Sequence, residues 1–126
     1  MVKVTDLKFS LIYADDFDLT KAFYEKHFGF KESFEMAPTE LGPQTWGMTG
    51  DVGMWIGGGH TPTKRDDRSA RSGVMFGVDS AFTLLEELRA DKVQIFQEDP
   101  IEMQPGVFWF QFEDPSGNII EVLGGK

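Results

Sequence analysis

Cysteine is absent from this sequence of 126 residues. Disulfide bonds, thiolate chemistry and zinc sites built on sulfur are therefore excluded. Long hydrophobic runs are also absent, because no segment approaches the roughly 20 apolar residues that cross a membrane. The N-terminus has no charged segment followed by an apolar one, as a signal peptide would. The sequence therefore predicts a cytoplasmic protein without a membrane partner.

Basic side chains are in the minority, with 12 Lys and Arg against 21 Asp and Glu and a formal net charge of −9. Binding of nucleic-acid phosphates needs a basic surface, so nucleic acid is a poor partner for this chain. An acidic protein attracts cationic small molecules more readily, although the same charge fits a role in solubility alone. The sequence is 40% hydrophobic and 13% aromatic, which predicts a folded domain with an aromatic core or an aromatic-lined pocket.

The segment FWFQFEDPSGNIIEVL, residues 108–123, has the pattern of two strands joined by a tight turn. Phenylalanines alternate with Trp109 and Gln111, so one strand face is wholly aromatic and the other is mixed. The letters DPSGN combine proline, glycine and an aspartate that can bond nearby backbone, which is strong turn chemistry. Glu121 lies alone among apolar residues, and such a carboxylate needs a partner or a wet cavity.

The chain repeats the order strand, helix, strand, strand, strand. Residues 1–58 form module one, residues 59–72 a polar linker loop, and residues 73–126 module two. Local matches support duplication, since WGMTGDVGMWIGG resembles a shortened WFQFEDPSGNIIEVLGG. The prediction is a single α+β domain of two tandem βαβββ modules, whose curled mixed sheet leaves an open cleft.

Local signals predict the limits of the elements. The first helix follows the N-cap candidates at 15–18 and runs to about Phe28, with Leu19 on its buried side. Asp79 is predicted to cap the second helix. Other predicted elements are a break at 38–43, a strand at 93–97 and a loop at 100–106.

The motifs together resemble the vicinal oxygen chelate superfamily, which includes glyoxalases, extradiol dioxygenases and bleomycin resistance proteins. The residues that carry the resemblance are Asp16, AFY at 22–24, FGF at 28–30, DPSGN at 114–118 and Glu121. They span nearly the whole chain. The resemblance implies paired βαβββ modules, a homodimer, and a small-molecule ligand inside the curled sheet.

The resemblance also implies where a metal would be held, at inward positions of the first, fourth, fifth and eighth strands. In this chain those positions fall on Phe9, Met54, Gly73 and Glu121. Phenylalanine and glycine side chains cannot ligate a metal, and methionine is a poor ligand for hard divalent ions. Because only Glu121 remains, the expectation leans away from an enzyme and from a metal cofactor.

Strand alternation extends the predicted cleft from Glu121 to other inward positions, including Glu113. An aromatic surface with methionine and an acid suits flat or cationic ligands. Two roles stay open for Glu121: pairing with a cationic group of a ligand, or hydrogen bonding to Gln111 or backbone. The tryptophans can equally be core residues. The predicted ligand-binding residues are Phe9, Tyr13, Trp46, Met48, Met75, Trp109, Gln111 and Glu121.

The function predicted first is metal-free sequestration of an aromatic, cationic or neutral compound by a binder of the bleomycin-resistance type. The alternative is a glyoxalase-like lyase or dioxygenase with a non-standard divalent metal site around Glu121 and His60, with Glu113 or Asp66 contributing. A third possibility is a metal-free enzyme that uses Glu121 as a general base. His60 lies in a glycine-rich loop, where an exposed side chain is the simpler interpretation.

Overall fold

The structure is a computed structural model that describes residues 3, 5, 10–39, 42–57 and 74–126, with the backbone alone for residues 36–39. Phe9, His60, Asp66, Gly73 and the linker loop at 59–72 lie outside the described residues. The elements in chain order are β1 (Ser10–Tyr13), α1 (Phe17–Phe28), β2 (Lys31–Thr39), β3 (Gly42–Thr49), β4 (Val52–Gly57), β5 (Met75–Ser80), α2 (Ala81–Ala90), β6 (Gln94–Ile95), β7 (Ile101–Gln104), β8 (Val107–Glu113) and β9 (Ile119–Gly125).

Two mixed sheets are built from these elements. Module one forms a four-stranded sheet in the order β1-β4-β3-β2, in which β1 and β4 are parallel. Module two forms a five-stranded sheet in the order β5-β9-β8-β6, in which β7 also pairs with β8 and β5 is parallel to β9. The predicted α+β fold of two similar modules is confirmed, and the sheets are not closed into a barrel.

The helix α1 begins at a capped end and stops at a glycine. Asp16 accepts a hydrogen bond from the Leu19 amide at 3.1 Å, and Gly29 takes the left-handed conformation, with φ 63°, that ends a helix. The predicted limits are confirmed, but Leu19 is 55% exposed. Thr20, the next residue, is fully buried, and its hydroxyl is hydrogen-bonded to the hydroxyl of Ser116 at 2.7 Å.

The cap of α2 differs from the prediction by one residue. The Ser80 hydroxyl accepts a hydrogen bond from the Thr83 amide at 3.1 Å, as an N-cap does. Asp79 instead accepts a hydrogen bond from the Ser80 amide at 2.9 Å, outside the helix. A serine is as good an N-cap as an aspartate, so composition alone did not separate the two neighbours.

Two strand predictions are also corrected. β2 and β3 continue to a Thr39–Gly42 pair, so the two strands extend into the predicted break at 38–43, and Gly42 there has a φ of 86°. The predicted strand at 93–97 shortens to β6, and the predicted loop at 100–106 contains β7. β6 and β7 pair with successive parts of β8, so together they form one edge that bulges between them.

The core lies between the helices and one face of each sheet. Phe110 and Phe112 of β8 are fully buried. The ring centroids of Phe23 and Phe28, both in α1, each lie 5.8 Å from that of Phe112. The helix of module one therefore packs on the sheet of module two, and the predicted aromatic strand face is the surface it packs against.

The DPSGN turn, residues 114–118, attaches module two to module one. Asp114 Oδ1 accepts hydrogen bonds from the amides of Ser116 and Asn118 at 2.9 and 2.8 Å. The Tyr24 hydroxyl donates to Asp114 Oδ2 at 2.8 Å, and Asn118 Nδ2 donates to the Tyr13 carbonyl at 2.7 Å. The predicted turn is confirmed, and it also holds β1 and α1 in place.

Candidate functional site

Each sheet has a face covered by helices and an open face, and strand alternation decides which side chains reach the open one. In β8, Phe110 is buried on the covered face, so Trp109 and Gln111 lie on the open face. Glu121 of β9 is in register with Gln111 on one side and with Met75 of β5 on the other. Three neighbouring strands thus bring Glu121 together with three other predicted residues.

Glu121 is held by donors on the neighbouring strand. Its Oε1 accepts a hydrogen bond from Nε1 of Trp109 at 3.1 Å and lies 3.5 Å from Nε2 of Gln111. Its Oε2 has no hydrogen-bond partner among the residues that the structure describes. The predicted bond to Gln111 is present in this weak form, and the second oxygen stays available to a ligand.

Gln111 is itself oriented by Gln97, a residue that the sequence did not indicate. Oε1 of Gln97 accepts a hydrogen bond from the Gln111 backbone amide at 2.6 Å, and its Nε2 donates to Oε1 of Gln111 at 3.1 Å. Because the carboxamide oxygen of Gln111 is bonded to Gln97, its NH2 group faces Glu121. Gln97 reaches this position from the bulge between β6 and β7, and bulges commonly redirect side chains in this way.

A cleft of about 560 Å³ lies on the open face of module two beside Glu121. This volume is within the range of about 300–1,000 Å³ that is typical of small-molecule sites. Three predicted residues line it, Met75, Trp109 and Glu121. Four other lining residues were not predicted. Met103 and Gln104 belong to β7, which was predicted as a loop, and Val107 and Leu123 lie in β8 and β9.

Module one has an open face of its own. Tyr13 is 43% exposed and Met48 is 37% exposed, while the residues just before them in the chain are buried. Trp46 lies on the same face and is in register with Trp55. None of the three predicted residues on this face lines the cleft beside Glu121. Within one chain, the structure therefore divides the predicted ligand-binding residues between two faces.

A second indole contact lies on the open face of module one. Nε1 of Trp55 donates to Oε1 of Gln44 at 2.5 Å. Gly57 leaves room for this contact, since a Cβ there would lie 2.5 Å from the same oxygen. The prediction that Met54 takes the inward position is wrong, because Met54 is fully buried in the core with Ile12. Trp55, one residue later, lies on the open face instead.

The described residues around Glu121 do not form a set of ligands for a divalent metal. No group of three or more His, Asp or Glu side chains that could hold a metal ion is found in the described part of the chain. The neighbours of Glu121 are an indole N–H, the thioether of Met75 and a carboxamide whose oxygen is bonded to Gln97. None of these is a ligand of choice for a hard cation. Glu113 lines a separate cleft beside α1.

The clearest shifts in pKa lie in the DPSGN turn, away from the open faces. Burial raises the pKa of the Asp114 carboxyl, against the opposing effect of hydrogen bonds from Asn118 and Tyr24. Burial, together with the charge of Asp114, raises the pKa of the Tyr24 hydroxyl well above its ordinary value. Tyr24 therefore keeps its proton and acts as a donor that joins the two modules.

A model of the Glyoxalase/Bleomycin resistance protein/Dioxygenase superfamily matches residues 6–122. The chain belongs to this superfamily. It is the family that the motifs around Asp16 and Glu121 resemble, so that resemblance is confirmed. The match runs through both modules.

Solved structures of the superfamily have the same fold. The fosfomycin resistance protein FosX from Listeria monocytogenes is 18% identical, with 98% of this chain and 96% of that chain covered and a TM-score of 0.74. A lactoylglutathione lyase from Agrobacterium tumefaciens is 20% identical, with 97% and 95% covered and a TM-score of 0.67. A glyoxylase/bleomycin resistance protein/dioxygenase domain from Frankia sp. EAN1pec is 16% identical, with 98% and 94% covered and a TM-score of 0.74.

These identities show a shared fold and leave the ligand open. No curated protein sequence matches this chain. Among the described residues, no helix is both long enough and apolar enough to cross a membrane.

Proposed function

We propose that this superfamily member binds and sequesters a small aromatic compound, cationic or neutral, on the open face of module two without a metal. The observation that carries the proposal is the state of Glu121. One carboxylate oxygen is bonded to Trp109, the other has no partner among the described residues, and Glu121 lines a cleft. A carboxylate oxygen in this position is a strong acceptor for a cationic or N–H donor group.

The walls of the cleft suit a flat ligand. Met75 and Met103 offer polarizable thioethers that adapt to the outline of a ring. The indole of Trp109 offers a face for stacking and for a cation–π contact, while its N–H stays bonded to Glu121. The formal charge of −9 favours the approach of a cation to the protein.

We further propose a homodimer. Large apolar side chains are exposed on both open faces, with Phe34 53% and Met48 37% exposed in module one, and Met103 59% exposed in module two. Exposed apolar surface of this kind marks an interaction site, and a second copy of the chain would cover it. Sedimentation equilibrium is expected to show a dimer that Met48→Glu weakens and Leu19→Glu, on α1, leaves intact. A monomer at all concentrations would contradict this proposal.

A cytoplasmic location stays a prediction.

Tryptophan fluorescence tests the binding proposal. The chain has three tryptophans, so the double substitution Trp46→Phe, Trp55→Phe leaves Trp109 as the only reporter. Titration with cationic aromatic antibiotics is expected to change its emission saturably, and Glu121→Gln is expected to weaken that binding. If no ligand of this class changes the emission of Trp109, the proposal fails.

The alternative is a glyoxalase-like lyase or dioxygenase with a divalent ion at Glu121. The fold match to FosX from Listeria monocytogenes complexed with Mn(II) and sulfate ion favours it, at 16% identity, 98% and 95% coverage and a TM-score of 0.74. Metal analysis of the purified protein separates the two functions. A stoichiometric divalent ion that is lost in Glu121→Ala would favour the enzyme over the metal-free binder. A metal-free protein that still binds its ligand would exclude the enzyme.

A further inference from the structure

A second cleft, of about 480 Å³, lies between α1 and β6 and shares no lining residue with the cleft beside Glu121. Its volume is also in the range of about 300–1,000 Å³ that small molecules occupy. Much of its wall is apolar and comes from two parts of the chain. Leu19, Ala22 and Phe23 line it from α1, and Val93 and Pro115 line it from module two.

Lys92, at the rim of this second cleft, has a backbone conformation that lysine rarely takes. Its φ is 61°, and no other non-glycine residue in the described part of the chain has a positive φ. It follows Asp91, the last cap residue of α2, and its amide donates to the Arg89 carbonyl at 2.9 Å. This conformation ends α2, because the Val93 amide also donates to the Leu88 carbonyl at 3.0 Å, and it fixes the direction in which the Lys92 side chain leaves the backbone.

The other basic side chains of the second cleft, Lys26 and His27, are already paired. Asp91 Oδ2 accepts from Nζ of Lys26 at 2.5 Å and lies 2.8 Å from Nε2 of His27. Nδ1 of His27 lies 3.2 Å from Oε2 of Glu87. The Lys92 ammonium, in contrast, makes no hydrogen bond or ion pair with any residue that the structure describes.

Besides Asp91, two further acids line the second cleft, and both have partners. The oxygens of Asp114 accept bonds from Tyr24, Ser116 and Asn118. Glu113 takes part in another interaction and is not free. The second cleft therefore combines an apolar wall with one ammonium that is available to an anion.

We propose that the second cleft is a binding site, separate from the one at Glu121, for a small aromatic carboxylate. The ring lies against Leu19 and Phe23, and the carboxylate accepts a charge-assisted hydrogen bond from Lys92. This site selects for negative charge, whereas the open face of module two selects against it.

Equilibrium dialysis with 2-naphthoate and its uncharged analogue 2-naphthamide tests this site in the full chain. The native protein is expected to bind 2-naphthoate more tightly than 2-naphthamide. Lys92→Gly is expected to weaken 2-naphthoate about tenfold while 2-naphthamide is unchanged, since one charge-assisted bond is lost. The same substitution is expected to raise the melting temperature, because glycine relieves the backbone strain.

Matched variants separate a specific contact at Lys92 from a general effect of net charge. Lys92→Arg keeps the charge and is expected to retain binding of 2-naphthoate. Lys31→Gln, at an exposed position of β2, changes the net charge as much as Lys92→Gly does and is expected to leave this binding unchanged. Binding of 2-naphthoate is measured at Lys92 and binding of cationic aromatic compounds at Glu121, so failure here is distinct from failure of the proposed function. The proposal is overturned if 2-naphthoate does not bind, if Lys92→Gly binds it as tightly as the native protein, or if Lys31→Gln weakens it equally.

Discussion

The open faces of the two modules contain the same kind of contact with different acceptors. In module one, the indole of Trp55 donates to the carboxamide oxygen of Gln44 at 2.5 Å. In module two, the indole of Trp109 donates to the carboxylate of Glu121 at 3.1 Å. A carboxamide is neutral, whereas a carboxylate is negatively charged and retains a second oxygen. Among the described residues, only the open face of module two therefore offers a cation a charged acceptor.

The final turns of the two modules also differ. In module one the turn around Gly50 and Asp51 is at the surface, with Asp51 exposed. In module two the corresponding turn contains Asp114, which is 4% exposed and bonded to Tyr24 of module one. The repeated unit has thus kept its strands while its second turn has become the link between the modules.

The largest expected effect is on this link. Asp114→Ala leaves the Tyr24 hydroxyl and the amides around Asn118 without their acceptor, and it is expected to lower the free energy of unfolding by about 4 kcal/mol. Asp51→Ala, at the matching turn of module one, is expected to change it by less than about 0.5 kcal/mol. Urea unfolding of both variants measures the difference. Equal losses would show that the two turns are equivalent, contrary to the structure.

The next effect is on binding at Glu121. Glu121→Gln gives module two the same neutral acceptor that module one has, and the indole bond of Trp109 is retained. The affinity for a cationic aromatic ligand is expected to fall about tenfold, with little change in stability. Calorimetric titration measures it, and Glu102→Gln, which removes an exposed charge on β7, is the control. An equal loss of affinity in Glu102→Gln would show that the effect comes from net charge alone.

A smaller effect is expected at Gln97, which has no counterpart in the continuous β2 of module one. Gln97→Leu frees the carboxamide of Gln111 to rotate, so its NH2 group no longer faces Glu121 steadily. Ligand affinity is expected to fall about threefold, with a loss of stability near 1 kcal/mol. Gln94→Leu, at an exposed position of β6, is the control in the same titration. Unchanged affinity in Gln97→Leu would show that Gln111 is positioned by other contacts.

The smallest effect is a difference in response to pH. Hydrogen bonds from Lys21 and then Thr45 lower the pKa of Glu32 from 4.5, so its contribution is present above that pH and is lost as the pH falls. The pH dependence of stability from Asp114 has the opposite sign. Burial raises the pKa of Asp114, so its ionisation lowers stability as the pH rises.

Because the Lys21–Glu32 pair is near the surface, Glu32→Gln is expected to cost less than about 1 kcal/mol at pH 7. The difference from the native protein should shrink as the pH falls below the ordinary value of 4.5. Thermal unfolding between pH 3 and pH 7 measures it. A difference that grows toward acid would contradict the assignment of Lys21 as the partner of Glu32.

What the sequence predicts well depends on local rules. The end of α1 at Phe28 follows from the glycine after it, and the aromatic face of β8 follows from a period of two. Met54 was misplaced because the stretch VGMWIG has apolar residues on both faces, so alternation offers no register. Sequence motifs alone could not predict contacts that depend on tertiary structure, such as the bond of Tyr24 to Asp114 or the bulge that brings Gln97 to Gln111.

The most direct test of the central claim compares a cation with its uncharged isostere at Glu121. Binding of 1-methylquinolinium and of 1-methylnaphthalene is measured by calorimetry with the native protein and with Glu121→Gln. The native protein is expected to prefer the cation by about tenfold, and the variant is expected to lose this preference while binding the neutral compound unchanged. Equal preference in both proteins, or no binding of either compound, would contradict the account.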